Sequence, residues 1–171
     1  MSIHNVPRWF SLSDGTLTHQ ITFYEALNYT QEIAPLGGFE ILRMLDGSAL
    51  KQTNWVKHSV TLSGNGGIPL GMHDLDWAKV ITLWCGATRA IVRNTNNFTL
   101  PAHRTDTGYE PFVLKYLPSD GLWVPLATNG VASKYMCQYY PILQCLFEPP
   151  SESQTFDSDS NVSWTLNGEE I

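Results

Sequence analysis

The chain has 171 residues and a mass of 19.2 kDa, which is enough for one domain with a hydrophobic core. Hydrophobic residues make up 43% of it and charged residues only 15%, a composition that excludes wholesale disorder. The net charge of −6 is gained entirely after Lys134, because the ten basic and ten acidic residues up to that point cancel. The acidic excess comes from Glu148, Glu152, Asp157, Asp159, Glu169 and Glu170.

Binders of duplex DNA normally carry a basic face, and no part of this sequence predicts one. The acidic end instead favours a surface that repels phosphate. There is no apolar run of about 18 residues, and the segment 1–10 lacks the apolar stretch of a secretory signal. The sequence therefore predicts neither membrane insertion nor secretion.

Turn-forming Gly, Asp and Asn pairs punctuate the chain at short intervals, and runs of strand length lie between them. The run 55–62 has the clearest period-2 pattern, with Val56, His58, Val60 and Leu62 on one face. The run 135–147 is either one long strand or two strands broken near Pro141. The predicted strands, in chain order, are 21–29, 39–44, 55–62, 79–85, 112–117, 122–124, 135–147 and 161–166.

Helical periodicity is poor, since only 13–23 and 74–81 could begin a short helix. We therefore expect an all-β chain, a β-sandwich or a partly closed barrel, with at most one or two short helices. One domain spans 1–171, with an exposed acidic loop at 149–160 and a terminal strand and tail at 161–171. The long polar stretch 94–109 is expected to serve a function or to contact a partner.

Several residues have predicted structural roles. Gly47 is expected at positive φ in an Asp46-Gly47 hairpin turn, and Gly64, Gly66 and Gly67 are expected at a flexible loop tip. Arg43 and Arg89 are predicted either to form ion pairs with Asp46, Asp74 or Asp76 or to be solvated. The predicted core tryptophans are Trp55, Trp77, Trp84 and Trp164.

The nearest approach to a metal-binding pattern is the segment His73-Asp74-Leu75-Asp76, to which His58 or His103 could be added. Its spacing matches no established zinc pattern, and a surface turn with a capping Asp is the favoured interpretation. The sequence also lacks a G-x-S-x-G elbow and a phosphate-binding glycine loop. We therefore predict no catalytic, cofactor-binding or metal-ligating residue, no cofactor and no enzymatic activity.

Three cysteines, Cys85, Cys137 and Cys145, occur without a C-x-x-C pair. An odd number of cysteines does not suit a disulfide framework, and reduced buried thiols are expected. Six tryptophans leave open a different function, carbohydrate binding, because exposed indole rings stack on sugar faces.

The segment 39–91 resembles the central part of a family of tail proteins from long-tailed, siphovirus-like bacteriophages. The shared features are an Arg before "LDGSALKQ", a block "W.K...T.SG.G..P.G...LD" and an end "C...RAI"; the C-terminal "SWTLNGEE" at 163–170 resembles how such proteins end. The matching residues are Arg43, Asp46–Gln52, Trp55, Lys57, Thr61–Gly67, Pro69, Gly71, Leu75, Asp76, Cys85 and Arg89–Ile91.

This resemblance implies a β-sandwich subunit that forms homo-oligomeric rings in the virion tail after synthesis in the host cytoplasm. Its partners would be other tail proteins of the tube, hub and tip, and DNA would pass through the lumen without specific binding. The resemblance leaves two components open, a distal tail or baseplate protein, which we favour, and the tail tube protein itself.

A long strand hairpin that pairs with the next subunit into an inner barrel would distinguish the tube protein. The hairpin at 45–49 is expected to be short, and the loop 95–109 is expected to be the better candidate for an arm between rings. A carbohydrate-binding host-recognition module and a small hydrolase using His73 or His103 are the alternatives from other functional classes.

Overall fold

The structure, a computed structural model, describes residues 9–155 and 161–171, and at 39 and 52–54 it describes the backbone alone. All regular elements in these residues are β-strands. They are β1 (Ser11–Ser13), β2 (Thr18–Gln20), β3 (Asn28–Arg43), β4 (Ala49–Gly66), β5 (Ile81–Trp84), β6 (Arg89–Arg93), β7 (Phe112–Leu117), β8 (Leu122–Pro125), β9 (Lys134–Tyr139), β10 (Ile142–Phe147), β11 (Ser151–Thr155) and β12 (Asn161–Glu170).

The strands form two antiparallel sheets, which confirms the all-β, sandwich-like class. The first sheet has the order β2-β1-β5-β10-β12-β4-β3, with β11 also paired to β12, and the second has the order β6-β9-β7-β8. Neither 13–23 nor 74–81 is helical, because turns and short strands occupy both segments. Across the described ranges, no helix has the length and apolar character needed to cross a membrane.

The chain divides into two compact units, a division that the sequence does not indicate. One comprises Leu12–Thr82 and Gln144–Ile171, and the other comprises Leu83–Leu143 with the segment that ends at Ser11. Strands β1, β5 and β10 have residues in both units.

In the first unit, the core is built on the alternating side chains of β12 and β4. Val162, Trp164 and Leu166 are buried on one face of β12, while between them Ser163 is exposed and Thr165 is half-exposed. β12 pairs with β4 from Val162↔Gly66 to Glu169↔Ser59. The period-2 prediction for 55–62 is confirmed at Val60 and Leu62, which are buried, but Val56 on the same predicted face is exposed.

The glycines at 64 and 66 correct the predicted flexible loop tip, since both lie inside β4. A Cβ atom on Gly64 would stand 2.5 Å from the ring of Trp164, and one on Gly66 would overlap the carbonyl group of Glu25. Real Cβ atoms do not approach other heavy atoms so closely. Glycine is therefore needed here for close packing of the strand, and only Gly67 lies beyond the end of β4.

In the second unit, the predicted hairpin is confirmed, with β7 and β8 joined by the turn 118–121. The run 135–147 forms two strands, β9 and β10, which separate at Tyr140 and Pro141. Cys85 and Cys137 in this unit and Cys145 in the first unit carry buried thiols, as expected, and burial raises the pKa of Cys137.

Two other segments differ from their predicted structure. Residues 21–27 form turns rather than a strand, and β3 begins only at Asn28. Within the expected acidic loop 149–160, residues 151–155 are exposed as predicted, but they form β11, which pairs with β12. Asp157 and Asp159 lie outside the described residues.

Candidate assembly surface

The most prominent feature of the first unit is a long β-hairpin. β3 and β4 contain 16 and 18 residues and pair continuously from Asn28↔Asn65 to Arg43↔Ala49. The pairing shifts register once, at a bulge between Gly38 and Phe39. The expectation of a short hairpin at 45–49 is therefore wrong, because those residues are only the turn at its tip.

The turn at the tip is ordered by its own side chains. Gly47 has a φ of 84°, the left-handed conformation predicted for it. Asp46 Oδ1 accepts hydrogen bonds from the backbone N of Ser48 at 2.9 Å and from its hydroxyl at 2.6 Å, and the pKa of Asp46 is lowered mainly by this hydroxyl. Arg43 donates a hydrogen bond to the carbonyl of Gly47 at 3.4 Å, and within the described chain it forms no ion pair with the predicted Asp46, Asp74 or Asp76.

The outer half of the hairpin is a two-stranded ribbon with two open edges. β12 pairs with β4 only between Ser59 and Gly66, and β3 is the last strand of its sheet. We name residues 37–56, all of which lie beyond this pairing, the hairpin arm. Within the described chain, no strand pairs with either outer edge of the arm.

Large apolar side chains are exposed along the arm. Leu45 at the tip is fully exposed and Ile41 is 63% exposed. Trp55, predicted to be in the core, is half-exposed and lies over Gly38, where it occupies the space that a Cβ would need. The exposed apolar residues of the arm are Ile41, Leu42, Met44, Leu45, Leu50, Trp55 and Val56.

The C-terminus of the chain holds the base of the arm. Lys57 Nζ donates a hydrogen bond to the backbone carbonyl of Ile171, and His58 Nδ1 lies 2.5 Å from Glu170 Oε2. The backbone N of Ile171 donates to the carbonyl of Gln144 at 3.0 Å. These contacts fix the point at which the ribbon leaves the wider sheet.

A buried carboxylate orders the turn at the other end of the hairpin. Glu25, only 3% exposed, accepts hydrogen bonds from the backbone N and hydroxyl of Thr22 and the backbone N of Gly71, and its Oε1 lies 2.8 Å from His19 Nε2. Desolvation opposes ionisation, but the hydrogen bonds from Gly71 and Thr22 outweigh it and lower the pKa of Glu25. The indole N–H of Trp164 donates to the Glu25 carbonyl at 2.9 Å.

The side chains weighed as metal ligands do not converge. His73 lies 3.7 Å from Glu152, Asp76 pairs with Lys79, and His103 bonds the carbonyl of Pro101. Among residues 9–155 and 161–171, no three His, Cys, Asp or Glu side chains form a group able to hold a metal ion.

An open groove of about 510 Å³ runs beside the base of the arm, along β4, β10 and β12. Its ionisable side chains are Glu148, Glu169 and Glu170, and no cysteine, histidine, lysine or arginine lines it. Its hydroxyl side chains are Ser59 and Thr61, and Thr61 Oγ1 donates a hydrogen bond to Asn167 Oδ1 at 3.2 Å.

The polar stretch 94–109, predicted as a candidate arm between rings, belongs to the second unit, and its C-terminal part is held there by a buried arginine. The buried guanidinium of Arg104 donates to both oxygens of Asp106, at 3.0 and 2.6 Å, and to the carbonyls of Trp9 and Cys85. The guanidinium carbon Cζ of Arg104 lies 3.2 Å from the centre of the Tyr109 ring. This cluster holds the C-terminal part of the stretch, residues 104–109, against the rest of the second unit.

Comparison of the chain with models of protein families, with curated proteins and with solved structures finds no match.

Two features of this surface were not predicted from the sequence: the length of the hairpin and the buried carboxylate of Glu25 at the end opposite its tip. The first had a signal, because the Asp46-Gly47 turn lies between two runs of nearly equal length that contain β-forming residues. Glu25 had none, since its partners His19, Thr22 and Gly71 form no recognisable spacing.

Proposed function

We propose that this chain is a structural, ring-forming subunit of a bacteriophage tail and that it acts by assembly and not by catalysis. The observation that carries the proposal is the hairpin arm, with two open edges and exposed apolar side chains along its length. The tail assignment itself comes from the resemblance of the segment 39–91 to siphovirus tail proteins.

An isolated two-stranded ribbon is marginally stable in water, and its open edges invite pairing with other strands. Burying an Ile or Leu side chain stabilises by about 1.5–3 kcal/mol, so the exposed residues of the arm supply a driving force for association. A ribbon of this kind therefore needs a partner that covers both its edges and its apolar side chains.

The two edges of the arm differ, because one belongs to β3 and the other to β4. Contact between the β3 edge of one copy and the β4 edge of the next is head-to-tail, and repeated head-to-tail contacts close into rings when the rotation allows. A closed ring of hairpins has no free edge left. This arrangement favours the tail tube protein over the distal tail or baseplate protein, the component that the sequence favoured.

Pro35 limits the paired length of the β3 edge. Proline lacks an N–H donor and is tolerated in edge strands where that position faces solvent. We expect pairing between copies to use the part of β3 beyond Pro35, which coincides with the arm. The inner part of β3 would stay unpaired on its outer side.

The remaining partners follow from the tail assignment. Tube, hub or tip proteins would contact the ends of the ring in the virion, and DNA would slide through the lumen without specific binding. The acidic excess after Lys134 suits such a passage, because like charges repel phosphate.

The proposal is tested by the assembly state of the purified full-length chain. Electron microscopy and mass measurement should find closed rings or stacks of rings. The variant Ile41→Lys places a charge on the arm edge and should shift the protein to monomers, while Val131→Lys, at an 88% exposed position in the other unit, should assemble normally. A strictly monomeric wild-type protein, at every concentration and salt tested, would contradict the proposal.

A further inference from the structure

A second exposed apolar surface lies at the opposite end of the hairpin from its tip. It consists of Phe23, Tyr24, Leu27 and Ile68, each of which is about half-exposed or more. The rings of Phe23 and Tyr24 meet edge to face at 5.8 Å, and the carbonyl of Tyr24 accepts hydrogen bonds from the backbone N of Gly67 and Ile68. We name these four residues the platform.

The platform is held rigidly, although its side chains are exposed. Glu25 lies buried between Tyr24 and Ala26 and fixes the turn through Thr22 and Gly71, as described above. The Trp164 indole and the close approach of Gly66 hold the same turn against the sheet. A buried, hydrogen-bonded carboxylate thus supports a surface whose two aromatic rings are each more than half exposed, an arrangement that suits a preorganised binding surface.

We infer that the platform of one copy receives the hairpin tip, Met44 and Leu45, of a second copy in the next ring, so that rings stack head to tail. This inference rests on the proposed ring-forming function and names the contact between rings. The tip and the platform lie at opposite ends of the same pair of strands, because β3 starts at Asn28 beside the platform and ends at Arg43 beside the tip. When two copies have the same orientation and one is displaced along the hairpin axis, the tip of one copy meets the platform of the other.

The length of the hairpin sets the spacing between rings. Sixteen residues at about 3.3 Å each span roughly 53 Å. Strands that close a barrel tilt by about 35–45° from its axis, so the axial displacement is roughly 40 Å. The contact is heterologous and does not close on itself, so it generates an open-ended stack.

The area of the contact explains why it would act only between rings. An aromatic side chain can bury about 150–250 Å² of accessible surface, and more than half of the surface of Phe23 and of Tyr24 is exposed. One tip on one platform therefore covers a few hundred Å², well below the roughly 1,200–2,000 Å² that a stable complex buries. Repeated once per subunit around a ring, the same contact gains strength through multivalency. Free monomers should not dimerise through it.

Cross-linking between two single-cysteine variants tests the contact. Tyr24→Cys, produced with heavy isotopes, is mixed with unlabelled Leu45→Cys, assembled and treated with a short bismaleimide; the three native cysteines are buried and stay in place. Mass spectrometry should find a heavy–light peptide pair joining positions 24 and 45. Within one molecule these positions are too far apart to be linked.

A substitution series separates this inference from the proposed function. Phe23→Ser with Tyr24→Ser should leave single rings intact and abolish stacking, while Val131→Ser should stack normally with a repeat of roughly 40 Å. Rings that stack without a 24–45 cross-link, or that stack equally well without the platform rings, would overturn the inference and leave ring formation standing. Failure of the wild-type chain to form any ring would instead overturn the proposed function and this contact with it.

Discussion

Trp164 should be the most costly tryptophan to remove. It is 2% exposed, it lies against Gly64, and its indole donates a 2.9 Å hydrogen bond to the carbonyl of Glu25. Truncating a buried Trp to Ala costs about 3–5 kcal/mol through lost burial and the cavity left behind. The orphaned carbonyl adds about 1–3 kcal/mol unless water enters the cavity. We expect Trp164→Ala to lower the free energy of unfolding by about 5 kcal/mol, a large part of the roughly 5–15 kcal/mol available to a natural protein.

Urea denaturation followed by circular dichroism measures this loss. With a denaturant slope of about 2 kcal/mol/M, a loss of about 5 kcal/mol should lower the midpoint by about 2.5 M. Trp164→Phe keeps most of the apolar volume and loses the hydrogen bond, so its midpoint should lie between those of the wild type and Trp164→Ala.

Trp55→Ala is the matched control, because Trp55 was also predicted to be in the core but is half-exposed on the hairpin arm. In monomeric protein its loss should stay below about 1 kcal/mol, in line with substitutions away from the core. Equal midpoint shifts for the variants at Trp55 and Trp164 would refute the argument that burial against Gly64 and Glu25 sets the cost.

Three further predictions concern buried polar groups and close packing. Arg104→Lys should lower thermal stability by about 2–3 kcal/mol, because lysine cannot reproduce the paired bonds to the carboxylate and the bonds to two carbonyls; an unchanged melting temperature would contradict this role. The pKa of Glu25 is lower in the folded protein than its ordinary value of 4.5, so its contribution is present at neutral pH and is lost as the pH falls below 4.5 through the folded pKa. The variant Glu25→Gln should be less stable than the wild type at pH 7, and its free energy of unfolding should fall less as the pH is lowered. Equilibrium unfolding between pH 7 and pH 3 measures both differences. Gly64→Ala should be destabilised by about 1–3 kcal/mol through overpacking against Trp164, whereas Gly67→Ala, with no neighbour nearer than 4.0 Å, should change little in the same urea titration.

Local sequence patterns predict those strands and turns that are determined by residues adjacent in the sequence. The hairpin β7–β8 was recognised because Pro118-Ser119-Asp120-Gly121 separates two β-forming runs, and Gly121 indeed has a φ of 66°. The break near Pro141 follows from the proline itself, which lacks the N–H that an uninterrupted strand ladder uses. By contrast, the aromatic run 21–29 was predicted as a strand from composition, but hydrogen bonds to the buried Glu25 side chain hold its middle in a turn.

The hairpin arm shows where sequence patterns fail for the candidate surface. Its strands contain the β-branched and aromatic residues that normally indicate burial, so the sequence predicts Trp55 in the core and Val56 on the same strand face as Val60 and Leu62. In the structure they lie beyond the last residue of β4 that β12 covers, Ser59. Burial depends on what packs above a strand, and periodicity along one strand carries no information about that.

The amino-acid sequence by itself determined that the chain is all-β, where several of its tight turns lie, and that its cysteines are buried, because these properties depend on neighbours along the chain. Only the tertiary structure decided that Gly64 and Gly66 are strand residues, that Glu25 and Arg104 are buried ions with full sets of partners, and that the hairpin extends past its sheet. Trp164 and Glu25 meet across 139 positions of sequence. Contacts of that separation are made by the folded chain as a whole, so no local pattern encodes them.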